Sequence, residues 1–125
     1  MRILKFGGSS VGSPDALRRV ISIVESKQKD RRIVVVVSAL RGITDQLIET
    51  ASLAAAGNED FEKRLSEIDK RHIDTINDLF PVSKRSEVIT SFKLLLNELE
   101  DVLQGVSLIR ELTKKTLDFI VGFGE

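Results

Sequence analysis

Five consecutive β-branched residues, Ile33-Val34-Val35-Val36-Val37, limit what this chain can become more than any other feature. Two heavy atoms on Cβ stiffen χ1 and favour extended backbone over helix. The run is apolar at every position instead of alternating, the pattern of a strand covered on both faces in a parallel sheet. A parallel partner requires a crossover, and the residues upstream supply one. Ile3-Leu4-Lys5-Phe6 reads as a strand that ends in glycine. Ser13 is placed to act as an N-cap, Pro14 fits the first helical position, and Asp15 complements the helix dipole. Leu17, Val20, Ile21 and Val24 then recur at helical spacing. The expected unit is β-loop-α-β, with a right-handed crossover that makes the two strands parallel.

Beyond Ser38 the spacing is helical. One helix is expected from Thr44 to about Ala56, with Leu47, Ile48, Ala51 and Ala55 on one side and Gly57 ending it. Phe61, Leu65, Ile68, Ile76 and Leu79 mark a long amphipathic helix that Pro81 closes. Val88, Phe92, Leu95, Leu99, Val102 and Val106 alternate spacings of four and three, the heptad signature of a narrow seam. With only Pro81-Val82-Ser83 between them, these two helices are expected to form an antiparallel hairpin over about 59–106. Thr113 is placed to cap a last helix carrying Leu117, Ile120 and Val121. Two strands make a marginal sheet, and no third strand is legible before Glu125. The sequence therefore reads as the beginning of a larger domain.

Composition removes several classes of function. A hydrophobic share of 42% is enough for a packed core. The 19 basic and 19 acidic side chains balance, which gives no electrostatic reason to expect nucleic acid or an anionic membrane as partner. There is no cysteine and only one histidine, His72, so thiolate and histidine-rich metal sites are not expected. The apolar stretch after Met1 is too short for a signal peptide or a membrane span, and a cytoplasmic protein is the simplest reading.

Residues that carry chemistry gather at the strand ends. Lys5-Phe6-Gly7-Gly8-Ser9-Ser10-Val11-Gly12 runs from the carboxyl end of a strand into a helix amino terminus. Glycines let backbone N–H groups approach an anion there, and the helix dipole favours negative charge. Lys5 adds a full positive charge in reach of a phosphoryl group. The lysine precedes the glycines, so this is not a Walker A loop. A tight strand-to-helix turn that binds nothing is the competing reading. Ser38-Ala39-Leu40-Arg41-Gly42-Ile43-Thr44-Asp45 also follows a strand and precedes a helix, so both loops are expected to open onto one crevice. Ser38 and Thr44 suit a small polar substrate, but Thr44 or Asp45 also suits a helix cap. Glu125, after Gly122-Phe123-Gly124, suits a substrate ammonium or an ordinary surface acid behind a glycine C-cap. His72 is expected to be structural, and Lys84-Arg85 and Asn58-Glu59-Asp60 to be solvated helix starts.

Lys5-Phe6-Gly7-Gly8-Ser9-Ser10-Val11 resembles the amino-terminal signature of aspartate kinases, K-F-G-G-[ST]-S-V. Ser38-Ala39 with Gly42-Ile43-Thr44 resembles the family's S-A-x-x-x-[IVT]-T element, and Gly124-Glu125 resembles the end of S-[FY]-G-E, with Gly122 in place of the serine. The resemblance implies the amino-terminal part (1–125) of an amino acid kinase, or carbamate kinase-like, three-layer αβα catalytic domain of the α/β class, with a long inserted helical hairpin. It implies transfer of the ATP γ-phosphate to the side-chain carboxylate of L-aspartate, the opening step of lysine, threonine and methionine synthesis, with Mg²⁺ accompanying ATP. Lys5 would stabilise the transferring phosphoryl group, Gly7, Gly8 and Ser9 would cradle phosphate oxygens, and Ser38, Thr44 and Glu125 would line the aspartate pocket. The residues that hold adenine would lie beyond this chain, the isolated chain would be inactive, and the full-length protein would be a homo-oligomer. The style of the hairpin looks like that of bifunctional aspartate kinase–homoserine dehydrogenases. A kinase for glutamate or acetylglutamate, and a non-catalytic helical interaction module, are the alternatives.

Overall fold

In the computed structural model, which describes residues 1–125, β1 (Arg2–Phe6) pairs in parallel with β2 (Ile33–Val37). The register runs from Arg2 opposite Ile33 to Phe6 opposite Val37. The crossover is α1 (Pro14–Gln28), which packs on β2. Its start follows the expectation, since Ser13 is extended and its hydroxyl accepts a hydrogen bond from the Ala16 N–H at 3.1 Å. These elements make up one compact unit, Met1–Gly42 together with Glu125, and Ile43–Gly124 form a second.

One expectation about the first unit fails within these residues. Val34, Val35, Val36 and Val37 remain 38–48% exposed instead of covered on both faces. The physical reason is that β2 has a single strand neighbour and a single helix, too little to bury a row of branched side chains. The buried residues of this unit are Val11, Ala16, Val20 and Ala39, close to the loop ends of the strands.

The second unit is built on α2 (Ile43–Ala55), which contacts α3 (Asp60–Leu79), α4 (Val82–Ile109) and α5 (Lys114–Gly122). Its buried stripe is Ile43, Leu47, Thr50, Ala51 and Ala54, while Ile48, expected inside, is 39% exposed. Thr50 is fully buried at no polar cost, because its hydroxyl donates to the Gln46 carbonyl at 2.6 Å. Gly57 ends the helix in the left-handed region, φ +69°, where Asn58 N–H bonds the Leu53 carbonyl and Gly57 N–H bonds that of Ala54. A Cβ there would also sit 2.8 Å from Arg110 Nε, so the guanidinium at the end of α4 lies over this turn.

Helices α3 and α4 run antiparallel, as three cross-contacts establish. Glu62 meets Gln104, Asp69 takes both carboxylate oxygens to Lys93 Nζ at 2.7 Å, and the His72 ring stacks on Phe92 at 5.2 Å. His72 Nδ1 lies 2.8 Å from the Ile68 carbonyl oxygen, which only accepts, so that nitrogen carries a proton. Arg85 is not a merely solvated charge. Its Nε donates to the Phe80 carbonyl at 2.8 Å and its Nη2 to that of Asn77 at 2.7 Å, satisfying carbonyls that the end of α3 leaves open. No helix is long and apolar enough to cross a membrane.

The seam on α4 departs from the heptad expectation. Leu99, Leu103 and Val106 are buried, whereas Leu95 is 53% exposed. A heptad stripe serves one partner, but α4 packs against both α2 and α3, which turns its buried face toward the shared core. Leu103→Ala should destabilise the chain by about 3 kcal/mol and Leu95→Ala by under about 1 kcal/mol in urea unfolding. Equal losses would restore the heptad seam.

Candidate functional site

Because β1 and β2 are parallel, their carboxyl ends lie at one edge of the sheet, and a loop leaves each. Lys5 pairs with Val36 one residue before that edge. Strand alternation puts Lys5 on the face of Ile3, exposed, while Leu4 and Phe6 are half-buried on the other. The first loop then tightens, with Ser10 N–H bonding the Gly7 carbonyl at 3.0 Å across a four-residue turn. Nothing lies within 4 Å of where a Gly7 side chain would begin, so the loop is open to an incoming group at that point. Val11, 2% exposed, anchors the loop before the Ser13 cap and the amino terminus of α1. Phe6, Ser9, Ser10, Arg19 and Ile23 border a cavity of about 280 Å³ between this loop and α1.

The second loop supplies the floor of the first. Ser38 is half-buried directly after β2, Ala39 is buried, and Gly42 turns the chain with φ +83°. A Cβ on Gly8 would lie 3.8 Å from the Ala39 carbonyl oxygen and 3.9 Å from Arg41 Cα. At Gly12 the approach is tighter, since a Cβ would stand 3.1 Å from Arg41 Cβ and 3.2 Å from the Gly8 carbonyl oxygen. A side chain at Gly12 would therefore press on the other loop, a closeness the turn geometry alone did not suggest.

The structure thus brings Lys5, Gly7, Gly8, Ser9 and Ser38 to one sheet edge, and Glu125 belongs to the same compact unit. Thr44 belongs to the second unit. It stands in the first turn of α2, which begins at Ile43, so neither Thr44 nor Asp45 is the cap of that helix. The glycine C-cap reading of the last residues also fails, because Phe123 takes that place in right-handed helical conformation. The sequence places Arg41 in the second loop without a role, and its closeness to Gly12 appears only in the structure. Arg19 borders the cavity beside Ser9 and Ser10, a position that helical periodicity does not signal. No group of three or more histidine, cysteine, aspartate or glutamate side chains is placed to hold a metal ion.

A parallel strand pair joined by a helical crossover places the chain in the α/β class. The chain belongs to the amino acid kinase family, whose sequence profile matches residues 1–118. It is 36% identical over 126 aligned positions to aspartokinase 3, chloroplastic, of Arabidopsis thaliana, covering 98% of this chain and 21% of that protein. It is 30% identical to the bifunctional aspartokinase/homoserine dehydrogenase, chloroplastic, of Daucus carota, again over 98% of this chain but 13% of the relative. Among solved structures, E. coli aspartokinase III in complex with lysine and aspartate superposes with a TM-score of 0.82 at 26% identity, over all of this chain and 26% of the other. The same enzyme with aspartate and ADP gives 0.70. The chain spans about a fifth of the length of the plant aspartokinases it matches.

Contact between the loops makes Gly12 the sensitive glycine. Gly12→Ala should lower stability by about 1–3 kcal/mol, and Gly7→Ala by under about 0.5 kcal/mol, in urea unfolding. Equal effects would mean that the loops do not touch as described.

Proposed function

We propose that this chain carries the phosphate loop and part of the amino acid pocket of an aspartate kinase. The γ-phosphoryl group of ATP would pass to a side-chain carboxylate oxygen of L-aspartate, giving ADP and 4-phospho-L-aspartate, the entry to lysine, threonine and methionine synthesis. The observation that carries the reading is the Gly7–Ser10 turn between Lys5 and a capped helix, at the edge where Ser38 also emerges. The likeness to aspartokinases, and the aspartate and ADP of the E. coli structure, support the choice of substrate class.

Little covalent work falls to the protein in such a transfer, so its residues act by position and charge. Lys5 is exposed and at the strand end, where its ammonium would meet the charge spread over the transferring phosphoryl oxygens. The N–H groups around Gly7, Gly8 and Ser9 would hold phosphate oxygens, favoured by the dipole of α1. Ser38 and Thr44 would donate to aspartate oxygens, and Glu125 would face the ammonium. Thr44 joins this set through the motif alone. Mg²⁺ enters as the counter-ion that accompanies ATP, with no carboxylate cluster on the chain to hold it. Cytoplasmic residence and a homo-oligomeric full-length protein complete the proposal.

Trapping the acyl phosphate with hydroxylamine tests it. The full-length protein should form hydroxamate that depends on both ATP and aspartate, and the isolated 125-residue chain should form none. Lys5→Ala in the full-length protein should lower kcat by about 10²–10³-fold. Undiminished turnover in that variant, or hydroxamate formed from glutamate in preference to aspartate, would sink the reading.

A further inference from the structure

Arg19 is the one charged residue on the cavity of about 280 Å³ that the glycine loop shares with α1. Phe6, Ala16, Val20 and Ile23 give that cavity an apolar lining, and Ser9 and Ser10 bring polar groups of the loop to it. Asp15, four residues back, is the acid that a helix offers to Arg19, but it bonds Arg18 at 2.9 Å and leaves Arg19 without an ion pair. Helical side chains lean over the turn that precedes them. Arg19, in the second turn of α1, therefore leans back toward the loop that leads into the helix. The face matters as well. Phe6 alternates with Lys5 along β1, and the cavity lies on the Phe6 side. Lys5 and Arg19 thus approach the loop from opposite faces of the sheet.

From this geometry we propose that Arg19 is a second phosphate-binding cation of the loop, and that it holds a nucleotide phosphate other than the one transferred. The inference rests on the phosphate-binding role proposed above for residues 7–9. Ser9 makes the connection, because it belongs both to that set and to the wall of the cavity. The planar guanidinium offers paired N–H donors to two oxygens of one phosphate. The apolar lining lowers the local polarity, which strengthens a charge-assisted hydrogen bond there. A phosphate that keeps its bonds during the reaction is held equally in the ground state and the transition state. Arg19 therefore acts on nucleotide affinity and leaves turnover unchanged.

Equilibrium binding of ADP and of adenosine to the full-length protein separates this role from packing. Met at position 19 keeps an unbranched stem on the cavity wall and removes the charge, while Lys keeps a charge without the planar fork. Arg19→Met should weaken ADP binding about tenfold and leave adenosine binding within about twofold of wild type. Arg19→Lys should recover part of the loss, and kcat at saturating ATP should stay within about twofold of wild type in both variants. Equal weakening of ADP and adenosine in Arg19→Met would mean that the side chain only packs, and would overturn the proposal. Unchanged ADP binding in that variant would overturn it too, as would a fall in kcat deeper than the loss of ADP affinity. A wild-type protein that binds ADP but forms no aspartyl hydroxamate would sink the kinase reading alone, and the comparison of ADP with adenosine would still decide the role of Arg19.

Discussion

The parallel ladder that sets Lys5 opposite Val36 and Phe6 opposite Val37 sends both strands out at the same sheet edge, and the proposed chemistry depends on that edge. An antiparallel pairing of the same residues would send the two loops to opposite ends. The direction follows from α1, a crossover helix whose start is fixed by the Ser13 cap and Pro14. From there the loops are held together by small residues. Gly8 and Gly12 let backbone and the Arg41 stem come close, and Val11 and Ala39 are buried beside them.

Much of this was legible in the sequence because it rests on local chemistry. The β-branched run, the N-cap serine and threonine, the left-handed glycine at 57 and the proline between the long helices each act within a few residues. Contacts between elements were less legible. The buried face of α4 follows Leu99, Leu103 and Val106 because two helices share it, and a periodicity read along one helix cannot report a second neighbour. Arg85 looked like a surface charge, but it closes the open carbonyls at the end of α3, a fit that depends on where the next helix begins.

The candidate site divides in the same way. Lys5 and the glycines were visible as a motif, and they lie at the carboxyl end of β1. The packing role of Gly12 and the place of Arg41 against it were not visible, since they depend on a contact between loops about thirty residues apart. Thr44 was ambiguous between substrate contact and helix cap. The start of α2 at Ile43 removes the cap, because Thr44 then stands inside the first turn.

The central claim is that the backbone between Lys5 and Ser10 holds the phosphates of a nucleotide. A crystal structure of the full-length protein with ADP and aspartate tests it most directly. The account predicts phosphate oxygens within hydrogen-bond distance, about 3 Å, of N–H groups among Gly7, Gly8 and Ser9, with Lys5 Nζ turned toward the terminal phosphate. Phosphates bound elsewhere, with this loop unoccupied, would contradict it.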